Sequence, residues 1–141
     1  MNLSKNFTVA ELIKSNTASR LGIDNTPSAD VVNNLQVLAF KVLQPVRDHF
    51  DAPITVSSGY RSPKLNKAVK GSKTSQHVTG QAADIEIYNV PNEELFNWIK
   101  DNLQFDQLIL EFYNPADPSS GWVHVSYNEQ DNRNMYFSID S

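Results

Sequence analysis

The sequence predicts an α+β fold, with N-terminal helices packed on a mainly antiparallel sheet that takes in one further helix. Two observations carry this prediction. Val31, Val32, Leu35, Leu38, Ala39, Val42, Leu43 and Val46 recur at three- and four-residue spacing, the period of a helix with one buried face. From residue 54 onward, short β-branched or alternating runs take over, in "ITV", "AADIEIYNV", "FDQLILEF" and "GWVHVSYN". No repeat, low-complexity tract or linker interrupts the 141 residues, which predicts one domain over 1–141, large enough to bury a core without a structural metal.

The first predicted element is a short helix in "NFTVAELIKS", entered through Thr8 with Glu11 three residues on as a capping box. "TASRLGIDNTPSAD" reads as a loop. Ser28 or Asp30 then caps the long helix that carries the apolar stripe, and Pro45 is expected to bend or open it. His49 falls where that helix ends, a surface position or one that complements the helix dipole. A strand at Ile54–Val56 stops in Ser-Ser-Gly, so Arg61 lies just past a strand end, where loops often carry chemistry. A short helix or turn at 63–69 leads through a polar loop to a strand that puts Asp84 and Glu86 on one face and Ile85 and Ile87 on the other. After Pro91, "NEELFNWIKDNL" is amphipathic, with Leu95, Trp98, Ile99 and Leu103 inward. Two strands around the turn-rich "YNPADPSSG", and a last one in "NMYFSID", complete the sheet.

Composition narrows the function classes. Forty per cent hydrophobic residues with 7 Phe, 5 Tyr and 2 Trp mark a globular chain. Twelve basic against 16 acidic residues leave a net charge of −4, a poor match to nucleic acid or to an anionic membrane surface, and neither is expected as a partner. A monomer is expected. No stretch approaches the roughly 20 apolar residues that span a bilayer, and "MNLSKNFTVAELIKS" lacks an apolar run of signal-peptide length, so synthesis in the cytoplasm is expected. Without cysteine, a transition-metal site must be built from histidine and carboxylates.

Only three histidines exist, His49, His77 and His124. In "WVHVSY", His124 faces opposite to Val123 and Val125, so if the valines enter the core His124 faces a groove. Two histidines and a carboxylate are a standard zinc set, and His77, Asp84 and His124 supply one if their strands are neighbours. The seven-residue gap from His77 to Asp84 does not by itself enforce a ligand geometry, and spacing alone favours a plain strand entry, a solvent-facing His77 and a hydrogen-bonded His124. Glu111, flanked by Leu110 and Phe112, is an isolated acid in an apolar strand and the best-placed candidate for a base. Arg61 is the cation candidate, since its fork binds carboxylates in bidentate fashion, although a plain surface-loop arginine explains it as well.

The combined pattern "SSGYRS", "SQHVTGQAADI" and "GWVHV", together with the leading "NFTVAELIKSNTASRLGIDNTP" and "VLQPVRDHF", resembles the zinc D-Ala-D-Ala carboxypeptidase family, especially its small phage-type peptidoglycan peptidases. The resemblance covers nearly the whole chain. It implies the hedgehog/DD-peptidase fold, Zn2+ held by His77, Asp84 and His124, and Arg61 in substrate binding and catalysis. Tyr60 and Ser75, in the same motifs, are implied as substrate-binding residues. The implied partner is the peptide of bacterial peptidoglycan, cleaved as an L-Ala-D-Glu endopeptidase or a D,D-carboxypeptidase would cleave it. The implied setting is a phage or prophage, with action on the wall after release.

One position departs from the pattern. Many members place an acidic base three residues before the last zinc histidine, where this chain has Gly121. The alternative arrangement, with a Glu ending the preceding strand, matches Phe105, Asp106 and Glu111, so the base role is carried to Glu111. Gly121 also keeps open a second expectation, a wall-binding or structural virion module that retains the metal without hydrolysis.

Overall fold

The computed structural model describes residues 1–140. A two-stranded hairpin, β1 (Asn2–Ser4) and β2 (Phe7–Thr8), opens the chain. The helix α1 (Val9–Ile13) follows, capped where the sequence predicts, with the Glu11 amide donating to Thr8 Oγ1 at 3.2 Å. The stretch expected as loop is a second helix, α2 (Asn16–Leu21). Its start is set by Ser15, whose Oγ accepts from the Ala18 amide at 3.1 Å, a capping signal that the surrounding Asn, Gly and Pro residues obscure.

The long helix divides into α3 (Ala29–Leu38), a π-helical turn (Ala39–Leu43) and α4 (Gln44–Phe50). Ser28 is its N-cap. Pro45 has no N–H for the Lys41 carbonyl and its ring crowds that carbonyl, so the backbone widens over the preceding turn instead of breaking. The apolar stripe stays continuous across the join: Leu35, Leu38, Ala39, Val42, Leu43 and Val46 are all fully buried.

The remaining elements are β3 (Ile54–Ser58), α5 (Pro63–Ala68), β4 (Ala82–Ile87), α6 (Asn92–Asn102), β5 (Gln107–Glu111), β6 (Trp122–Ser126) and β7 (Met135–Ile139). The five later strands form one sheet in the order β3-β4-β6-β5-β7. Three of its four pairings are antiparallel, but β7 joins β5 in parallel. On one face Ala83, Ile85, Val123, Val125, Leu108 and Leu110 enter a core cluster that also contains the helical stripe and, from α6, Leu95, Phe96 and Ile99. The period of two then sends Asp84, His124 and Glu111 to the other face.

Candidate metal centre

Strand register assembles the site. Asp84 pairs with His124 across β4 and β6, and His124 pairs with Ile109 across β6 and β5. Ser58 of β3 lies opposite Asp84, extending the row. One step along the same face, Glu111 pairs with Trp122. Residues 40 apart in sequence thus meet because neighbouring strands share one register.

His77 reaches this row from the loop before β4. Its ring Nε2 lies 3.4 Å from Asp84 Oδ1, and His124 Nδ1 lies 3.0 Å from the same oxygen. The ligand atoms of all three residues fall within 4.8 Å of one another. His77 is held from behind: its Nδ1 is 2.7 Å from the Gly59 carbonyl, which can only accept, so a proton sits on Nδ1 and Nε2 is the atom left to face Asp84. A neutral ring presents a lone pair there, which the carboxylate oxygen repels unless a proton or a metal cation stands between them. The donor set therefore fits a divalent metal, with a backbone carbonyl fixing the tautomer that a ligand requires.

Asp84 is buried, which by itself raises its pKa, but hydrogen bonds from His124 and His77 outweigh burial and hold the carboxyl well below its ordinary value. It stays an anion. Arg61 Nη2 lies 3.7 Å from Asp84 Oδ2, while Arg61 Nε donates to Ser58 Oγ at 3.0 Å and Nη1 to Asn66 Oδ1 at 3.2 Å. Burial pushes the Arg61 guanidinium down from its ordinary value, against the pull of Asp84 and Glu111.

The turn that carries Arg61 is pinned on several sides. The Tyr60 amide donates to the Leu12 carbonyl at 2.8 Å, and the Asn25 side chain spans the Ile13 and Tyr60 carbonyls and the Ser62 amide. A Cβ on Gly59 would lie 2.1 Å from the Leu12 oxygen, so only glycine permits this approach between the α1 end and the residue that holds His77.

Arg61, Ser75, His77, Asp84, Glu111 and His124 line one cleft of about 610 Å³. Ser75 Oγ accepts from the His77 amide at 3.2 Å. Glu111 Oε2 accepts from Trp122 Nε1 at 2.9 Å. Tyr60 is not in that cleft; it is buried in the core cluster and lines a separate cavity of about 330 Å³ with Lys14 and Leu65. His49 is elsewhere too, stacked on Trp98 with ring centroids 4.3 Å apart.

Gly121 has φ +68° and closes on the end of β5, where a Cβ would lie 1.9 Å from the Glu111 carbonyl oxygen. This backbone excludes an acidic side chain at 121. Sequence reasoning missed Gln76 and Arg133, which line the same cleft. Both are tied to Asp106, with Gln76 Nε2 at 2.8 Å and Arg133 Nε and Nη2 each at 2.8 Å from its carboxylate. A signal existed for Gln76, which adjoins His77, but Arg133 sits in a polar run, "NEQDNRN", that marks nothing.

Comparison with known proteins agrees with this geometry. The profile of the family described as Peptidase M15 matches residues 5–126, from the first hairpin to the end of β6. The zinc D-Ala-D-Ala carboxypeptidase of Streptomyces albus G is 40% identical over 81 residues, which is 57% of this chain and 31% of that protein. The chain thus matches about a third of the length of that curated relative. With most of its length under one profile, including all three converging residues, the chain belongs to the peptidase M15 family.

Proposed function

We propose that this chain is a zinc-dependent metallopeptidase that hydrolyses amide bonds in the stem peptides of bacterial peptidoglycan, as an L-Ala-D-Glu endopeptidase or a D,D-carboxypeptidase. The observation that carries the proposal is the convergence of His77, Asp84 and His124 in a cleft that also contains an acid and an arginine. The Streptomyces albus G relative, a zinc D-Ala-D-Ala carboxypeptidase, supports zinc as the metal and the wall peptide as the substrate class. We read residues 1–141 as one monomeric domain of the hedgehog/DD-peptidase type, lysin-like and of phage or prophage origin. No helix among the described residues is long and apolar enough to cross a membrane.

In this reading His77, Asp84 and His124 hold the ion. When bound, zinc supplies Lewis acidity, polarising a carbonyl and making water more acidic. Glu111 acts as the base. Trp122 fixes its Oε2, which leaves Oε1 to take a proton from the attacking water and later return it to the leaving nitrogen. Arg61, anchored by Ser58 and Asn66, keeps Asp84 oriented and adds positive charge where the carbonyl oxygen becomes negative.

The second reading, a wall-binding or virion module without hydrolysis, rested on Gly121. Glu111, which lines the cleft, supports the hydrolytic reading by offering an acid that Gly121 does not. Purified protein supplied with zinc should clear a suspension of cell walls. Glu111→Gln should reduce clearing by at least about a hundredfold while bound zinc, measured by elemental analysis, is unchanged. Full clearing by that variant would overturn the base assignment, and absence of clearing by the zinc-loaded parent would favour the binding module.

A further inference from the structure

The cleft contains two arginines, and their donors are spent differently. Arg61 is only 18% exposed at its side chain and turns inward: Nε is committed to Ser58, Nη1 to Asn66, and Nη2 faces Asp84. Each of its three nitrogens thus faces a partner inside the protein. Arg133 is 49% exposed at its side chain and, among the described residues, is gripped along one edge only, Nε and Nη2 donating to the two oxygens of Asp106 at 2.8 Å each. A guanidinium has five N–H groups, so three remain, on Nη1 and the outer side of Nη2.

Asp106, itself 2% exposed, holds this fork rigid: it also accepts from the Arg133 backbone amide at 3.1 Å and from Gln76 Nε2 at 2.8 Å. The rotamer entropy that a free surface arginine would lose on binding a ligand is already lost on folding. Because Gln76 adjoins His77, the clamp also ties Arg133 to the loop that delivers a candidate metal ligand.

We infer that Arg133, rather than Arg61, anchors a carboxylate of the substrate, and that Asp106 is the positioning residue that presents it. The inference rests on the proposed peptidase reading and adds the ligand chemistry: a peptide recognised through a free carboxylate. The source of that carboxylate is either the α-carboxyl of the D-Glu residue or the C-terminal carboxyl of the stem.

Three synthetic probes separate these: the pentapeptide L-Ala-γ-D-Glu-L-Lys-D-Ala-D-Ala, which contains both candidate scissile bonds, the same peptide amidated at the D-Glu α-carboxyl, and the same peptide amidated at its C-terminus. Binding to zinc-loaded Glu111→Gln protein is measured by titration calorimetry, so that hydrolysis does not intervene. One amidation should weaken binding roughly tenfold or more, as loss of charge-assisted hydrogen bonds does, and identifies the source. Arg133→Ala should bind the acid as weakly as that amide, abolishing the discrimination. Arg133→Lys should recover only part of it, because an ammonium lacks the fork. Circular dichroism checks that each variant is folded.

A merely structural role for Arg133 would weaken acid and amides alike. Discrimination that persists in folded Arg133→Ala, or none in the parent despite binding of all three probes, overturns the inference while leaving the peptidase reading intact. Failure of the parent to bind or cleave any of them overturns both.

Discussion

At the scale of single residues, the centre depends on groups that never touch the metal position. Gly59 is the sharpest case, because one missing carbon admits the Leu12 carbonyl on one side while its own carbonyl orients His77 on the other. Gly59→Ala should lower stability by about 1–3 kcal/mol through overpacking. It should also weaken zinc binding about 10- to 100-fold, the range for disturbing a group that orients a ligand. Chemical denaturation and competitive chelator titration measure the two effects separately. If stability falls and zinc affinity does not, the Gly59 carbonyl is not what orients His77. Gly121→Ala faces both a positive φ and a contact with the Glu111 carbonyl, so it too should destabilise, with the activity loss tracking displacement of Glu111 at the end of β5.

At the scale of elements, the parallel join of β7 to β5 has a local cause. The chain leaves β6, turns past the start of β5 and runs up its free edge. Asp106 steers that crossing: Asn134 N donates to the Phe105 carbonyl at 2.9 Å, Met135 N to the Asp106 carbonyl at 3.0 Å, and the Asp106 side chain holds Arg133. Hydrogen bonding from Arg133, against a smaller opposing effect of burial, lowers the Asp106 pKa from 3.8 to about 2. A depressed pKa contributes stability that is complete above the unfolded value and lost as pH falls through the folded one. The parent should therefore lose stability between about pH 4 and about pH 2 more steeply than Asp106→Asn does. At neutral pH the variant should melt a few degrees lower. Thermal melts across that range supply the comparison, and parallel curves for the two proteins would remove Asp106 from the acid response.

At the scale of the molecule, one sheet separates two environments. Its inner face joins the helices in an apolar cluster, and its outer face collects the charges. The core is complete without the ion, so chelation should leave the fold intact by far-UV circular dichroism and lower the melting temperature by several degrees. At a hundredfold excess of zinc over its Kd, binding contributes about 2.7 kcal/mol. Differential scanning calorimetry with chelator, then with zinc restored, tests this. An unchanged melting temperature would mean that the three residues do not hold zinc in the folded state.

The sequence by itself determined the elements with strong periodicity and the acids and histidines worth watching. The helical stripe from Val31 to Val46, the alternation that turns Asp84 away from Ile85, and the opposition of His124 to its flanking valines all follow from side-chain period, a local property of the chain. It did not determine α2, where a serine cap competes with turn-forming neighbours, nor the π-helical turn, which is how a packed helix absorbs Pro45 without exposing its stripe. Only the tertiary structure decided that Asp84 and His124 share a register, that Gly59 reaches back to His77, that Tyr60 belongs to the core, and that Arg133 enters the cleft. Those are contacts between segments 18 to 48 residues apart, set by strand order and by which carbonyl meets which donor, and a one-dimensional pattern carries no record of either.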